Sequence, residues 1–120
     1  MKFMTFVKSA EDYGDPPQAL MDAMGKYIEQ NLKSGTLVTT GGLARSADGF
    51  RVRSSGGKLQ QTDGPFSEAK EVVGGYAILE LRSVEAAREV AREFMQMHVE
   101  HWPEWEGESE VRPIVFETGR

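Results

Sequence analysis

The sequence predicts an α+β domain in the order strand, helix, strand, hairpin, strand, helix, strand, and three observations carry that prediction. Two segments, opening near Pro16 and at Ser83, repeat apolar residues at three- and four-residue spacing, the period of a helix with one buried face. Short runs rich in β-branched and aromatic residues flank both segments. Between them, Ser55-Gly56-Gly57-Lys58 carries the paired glycines of a tight hairpin. The order is that of a split βαβ arrangement with an insertion.

Residues 2–8 predict the first strand, with Met4 and Phe6 on one face and Phe3 and Val7 on the other, so both faces need cover. Asp15 is placed to cap a helix whose first turn suits Pro16 and Pro17, with Gln18 reaching back. Leu20, Met21, Met24, Tyr27, Ile28 and Leu32 then form one apolar stripe, and Gly35 stands where a left-handed C-terminal cap belongs, which predicts a helix over 16–34. Residues 36–40 predict the second strand, broken by Gly41-Gly42.

Phe50-Arg51-Val52-Arg53 and Leu59-Gln60-Gln61 predict a small exposed hairpin. Gly64-Pro65 ends regular structure, and Phe66 is expected to anchor the turn in apolar surroundings. Residues 76–81 predict the next strand, with Ala77, Leu79 and Leu81 on a wholly apolar face. Ser83 caps the second helix, whose stripe is Val84, Ala87, Ala91 and Phe94 and whose end is set by Pro103. Residues 111–116 predict the last strand, and Pro113 within it marks a sheet edge.

A length of 120 residues fits one domain with a single core. With 19 acidic against 14 basic residues, a formal charge of -5 and no basic block, the chain is not built to hold nucleic acid. The absence of cysteine excludes disulfides, thiolate catalysis and Cys-ligated zinc, and fits a reducing compartment. The apolar run at residues 3–7 is too short for a signal-peptide core or a membrane span, so a cytoplasmic location is expected. Two helices cover only one face of an antiparallel sheet, and the apolar second face predicts a homodimer with sheets facing each other.

Chemistry-bearing residues concentrate in Thr62-Asp63-Gly64-Pro65-Phe66-Ser67-Glu68-Ala69-Lys70-Glu71 and in the glycine-rich strand after it. A rigid turn leaves the Asp63 carboxylate accessible, which makes it the leading candidate for proton transfer, although an Asp before Gly also serves simply to accept backbone N–H bonds. Thr62, Glu68, Lys70, Tyr76 and Arg112 are the candidate binding residues; ion pairing for the charged ones and core packing for Tyr76 are the plainer alternatives. His98 and His101, the two histidines, lie near the C-terminus of the second helix, where the dipole favours imidazolium, and either is a candidate acid/base partner for Asp63. At i and i+3 they have no evident third ligand beyond Glu100 or Glu104, so no metal and no other cofactor is expected. Trp102 and Trp105 read as shielding for a core or a seam.

Asp63-Gly64-Pro65-Phe66, together with Gly41-Gly42-Leu43, Val52-Arg53, Gly56-Gly57, Lys70-Glu71, Gly74-Gly75-Tyr76 and Glu110-Val111-Arg112-Pro113, resembles the YCII-related proteins and, within them, the DGPF subgroup. The resemblance runs over nearly the whole chain. It implies a ferredoxin-like fold that dimerises into an α/β barrel, an enzymatic role resting on a His and Asp pair in a cleft, and association with sigma factors of the extracytoplasmic-function class. This chain departs from the other branch of the family in having no histidine between Pro16 and Ser34, and Leu43-Ala44-Arg45 lacks the subgroup's usual proline. Two readings of function follow: a small-molecule enzyme using Asp63 and one histidine, or a non-catalytic ligand-binding or regulatory module partnered with a sigma factor.

Overall fold

The structure, a computed structural model, describes residues 1–118. Six strands and two α-helices follow in the expected order: β1 (Lys2–Ser9), α1 (Gln18–Ser34), β2 (Leu37–Gly42), β3 (Phe50–Ser55), β4 (Lys58–Asp63), β5 (Val72–Glu80), α2 (Val84–His101) and β6 (Gly107–Pro113), with one 3-10 turn at Ser46–Asp48. Four strands form an antiparallel sheet in the order β2-β5-β1-β6, while β3 and β4 pair only with each other. The strand order, with both helices on one face, is compatible with a ferredoxin-like α+β fold. No helix among the described residues is long and apolar enough to cross a membrane.

Local signals account for most boundaries. Gly35 adopts a left-handed φ of 81° and its N–H bonds to the Leu32 carbonyl, closing α1. Ser83 Oγ accepts from the Ala86 N–H and opens α2. Gly56 and Gly57 take φ values of 59° and 76°, the sign a two-residue hairpin turn requires at both central positions.

Other boundaries differ from expectation. The residue flanking α1 is Pro17 and no side chain caps it; the Gln18 amide donates forward to Asp22 instead of backward. β2 runs through Gly41-Gly42, because Gly41 and Gly42 pair with Tyr76 and Gly75 of β5. β6 lies earlier than residues 111–116: Gly107 to Pro113 pair with β1, and Val115 and Phe116 are exposed beyond it. β6 is an edge strand, and Pro113 is its last residue.

Side-chain size changes along the sheet, and that gradient positions the site. On the face of β1 and β5 toward the helices, the paired residues are Phe3 with Leu79, then Thr5 with Ala77, then Val7 with Gly75. Phe3, Leu37, Leu79 and Ala87 make the buried core at the large end, with Ile28 and Val90 packed against it. Toward the other end the floor is small, and the helices above it do not close the gap.

The opposite face presents Met4 and Phe6 of β1 beside Tyr76 and Ile78 of β5, all partly exposed. Neither helix packs there.

Candidate functional site

The space left by the small floor is a cavity of about 660 Å³ between the sheet and the two helices. Thr5, Val7 and Ala77 contribute its floor, Met24 and Tyr27 one wall, and Ala91, Phe94 and His98 the other. Three charged residues border it, Glu11, Asp15 and Arg45. All three follow strands β1 and β2, which run the same way in the sheet, so they stand at one end of it. A largely apolar hollow of this size with a few converging polar groups is the usual form of a small-molecule site.

His98 is the chemically distinctive member of the wall. Ala87, Ala91, Phe94 and His98 recur at helical spacing, so the imidazole falls on the inward stripe of α2 and is buried. Its Nδ1 lies 3.0 Å from the Phe94 carbonyl oxygen. A carbonyl only accepts, so Nδ1 carries the proton and the neutral ring presents a lone pair at Nε2. The ring sits between Phe94 and Trp105, with centroids 4.9 and 4.6 Å away. Burial holds its pKa below the usual histidine value, outweighing the bond to Phe94. The helix C-terminus was expected to favour imidazolium; at this depth desolvation is the stronger effect.

His101, at the last helical position, is partly exposed and does not line the cavity. Trp102 and Trp105 stack with a centroid separation of 6.0 Å, and Tyr13 meets Trp102 edge-on at 6.1 Å, so these rings close one end of the hollow by packing on each other.

The turn at residues 62–66 lies outside this wall. Thr62 and Asp63 end β4 opposite Arg51 and Phe50, both are exposed, and no hydrogen bond joins Asp63 to either histidine among the described residues. The cavity therefore does not lie at Asp63, where the turn motif placed a pocket: Asp63 is not among the residues that line it, and β3 and β4 pair only with each other, apart from the main sheet. Glu68 pairs with Arg51 at 2.8 Å, and Lys70 is exposed. Phe66 is covered by the Arg51 guanidinium, 3.8 Å from its ring centroid, where apolar surroundings were expected. Arg112 is exposed on β6, on the side of Met4, its pairing partner in β1. Tyr76 borders the cavity from β5, yet its ring alternates to the open face and lies over Gly41, where an added Cβ would come within 2.8 Å of it.

Two residues that the sequence did not single out hold the turn in place. The Glu11 carboxylate accepts from the Ser46 N–H at 2.7 Å and from its hydroxyl at 2.6 Å, and Ser46 Oγ in turn accepts from the Phe66 N–H at 3.0 Å. These bonds keep Glu11 below the usual carboxylate pKa, the Ser46 hydroxyl contributing most. Gly64 completes the lock: its N–H donates to the Gly49 carbonyl at 2.9 Å, and a Cβ there would run into the Ser46 carbonyl. Only the polar run from Ser9 to Gly14 hinted at Glu11, since its partner lies 35 positions away.

Among the described residues, no three His, Asp or Glu side chains stand close enough to hold a metal ion. Compared with known families, residues 1–114 match the YCII-related domain. The chain belongs to the YCII-related domain family. No curated protein matches it. The family is an uncharacterised one, so membership leaves the chemistry of the cavity to be argued from its residues.

Proposed function

We propose that this YCII-related protein, of the DGPF type by its Asp63-Gly64-Pro65-Phe66 turn, binds a small molecule in the cavity between helices and sheet and accepts a proton from it at His98. The observation that carries the reading is a buried histidine on the wall of an apolar hollow, its tautomer fixed by the Phe94 carbonyl and its Nε2 uncommitted. A neutral imidazole with a defined lone pair is the form a general base requires. Stacking against Trp105 offsets part of the desolvation of the imidazolium that forms. Asp63 has no part in this reading.

The protein works as a homodimer joined through the open sheet face, because Met4, Phe6 and Ile78 there are apolar and uncovered by either helix. Two such faces packed together complete an α/β barrel.

A thermal-shift screen of small metabolites against the native protein and the Ala91→Phe variant tests the binding claim. Ala91 lines the cavity, and a phenyl ring there occupies space that a ligand would take. Compounds that raise the Tm of the native protein are expected to lose that effect in the variant. Hits whose shifts persist in a folded Ala91→Phe protein would place binding elsewhere and overturn the reading.

A further inference from the structure

The hairpin of β3 and β4 is anchored only at its base, through Gly64 and the ion pair of Arg51 with Glu68. Every residue of both strands is exposed, and neither helix nor any strand of the main sheet packs closely on them. The chain is correspondingly extended, with a radius of gyration of 16.0 Å against about 14 Å for a compact chain of this length. A two-stranded ribbon standing alone is marginally stable in water, so an arm of this kind gains from a surface to lie on. Its register sorts the side chains by face: Phe50, Val52 and Leu59 lie on one side, and Arg51, Arg53 and Lys58 on the other. The three apolar residues are 65%, 54% and 76% exposed.

Charge points to what covers the arm. Residues 50–63 hold three of the 14 basic residues and one of the 19 acidic ones, which leaves the body with 11 basic against 18 acidic. A cationic arm on an anionic body complements a second copy of the same chain. The body also carries a matching patch at the end of the sheet from which the hairpin springs, where β1 and β2 finish and β5 and β6 begin. There the open face presents Phe6 and Val73, with Glu108 and Glu110 beside them on β6 and Glu71 directly ahead of β5. Lys8 takes one of these carboxylates, Glu110, at 2.7 Å; that bond and, after it, the charges of Glu108 and Glu71 help hold the Lys8 pKa above its ordinary value. Among the described residues, Glu71 and Glu108 have no ion-pair partner, and neither have Arg53 and Lys58.

The homodimer proposed above, on which this step rests, also needs more surface than the sheets provide. A four-stranded face about 20 Å square offers roughly 400 Å², short of the about 800 Å² per partner typical of a stable interface. A twofold axis parallel to the strands sets β2 of one copy over β6 of the other with like ends together, which carries each arm toward the other copy's acidic end. We infer that the hairpin of β3 and β4 clasps a second copy of this chain. Its apolar side lies on the patch of Phe6 and Val73, and the long side chains of Arg53 and Lys58 reach round the ribbon to the carboxylates bordering that patch.

Sedimentation equilibrium of the native protein and of Leu59→Ser, Lys58→Glu, Glu108→Lys and the combined Lys58→Glu, Glu108→Lys variant tests the clasp. Positions 58, 59 and 108 are exposed, so the fold should survive each change. Because a dimer holds two arms, each single substitution is expected to raise the dimer Kd about tenfold, and the combined variant is expected to recover most of that loss. Native dimers whose Kd the substitutions leave within about twofold, or a combined variant no tighter than the weaker single one, would overturn the clasp while keeping the dimer. A native protein that stays monomeric would overturn both.

Discussion

Gly64→Ala is expected to lower stability by about 3 kcal/mol or more, and the Tm by roughly 10 °C or more. A Cβ at residue 64 meets the carbonyl group of Ser46, which is backbone and cannot rotate aside as a side chain would. Nor can Ser46 retreat. Its N–H and hydroxyl are held by Glu11, its hydroxyl also receives the Phe66 N–H, and its carbonyl accepts from the Gly49 N–H at 3.0 Å. Relief of the clash must break one of these bonds or part β4 from the 3-10 turn, and either exposes polar groups that are now satisfied. Gly42→Ala is the control, since an added Cβ there meets nothing within 4 Å and its φ is not positive. Urea melts of the two variants that give equal midpoints would contradict the lock.

Ile78→Glu is expected to weaken self-association by about a thousandfold or more, turning a dimer at micromolar concentration into a monomer by sedimentation velocity. Ile78 lies on the open face between Met4 and Thr39, and the twofold symmetry of the proposed homodimer would place two new carboxylates in one interface. Each must shed its water to enter the apolar contact. The fold itself should survive, because the core of Phe3, Leu37, Leu79 and Ala87 lies on the other face. Native protein that sediments as a monomer at the same concentration would remove the dimer.

These two expectations show how unevenly structure is written in the chain. Element order, the Gly35 and Ser83 caps and the Gly56-Gly57 turn were legible because each depends on residues within a turn of one another. β6 was displaced because Val111 to Phe116 is the more apolar run, while pairing with β1 selects the polar stretch from Gly107. Tertiary pairing overrode local propensity there. His98 could be picked out as one of two histidines at helical spacing from Phe94, but its tautomer and depth depend on Trp105 and on the floor beneath. The cavity had no local signal at all, since it arises from the coincidence of Thr5, Gly75, Ala77 and Ala91 on elements distant in sequence. Asp63 drew attention through its motif, and the bonds around its turn anchor backbone.

The central claim is that His98 stands neutral at the cavity wall with its proton on Nδ1, and a nitrogen-15 spectrum of the two imidazoles followed as the pH is lowered tests it most directly. Because burial depresses the folded-state pKa, the folded protein should keep His98 neutral as pH falls below the ordinary histidine value of 6.5, where the unfolded chain already binds a proton. This group's contribution to stability is thus fully present above that pH and declines below it. Expected are an Nδ1–H tautomer at neutral pH and a titration midpoint for His98 below the ordinary histidine value of 6.5. A resonance pattern with the proton on Nε2, or protonation of His98 above the ordinary histidine value of 6.5, would contradict the account.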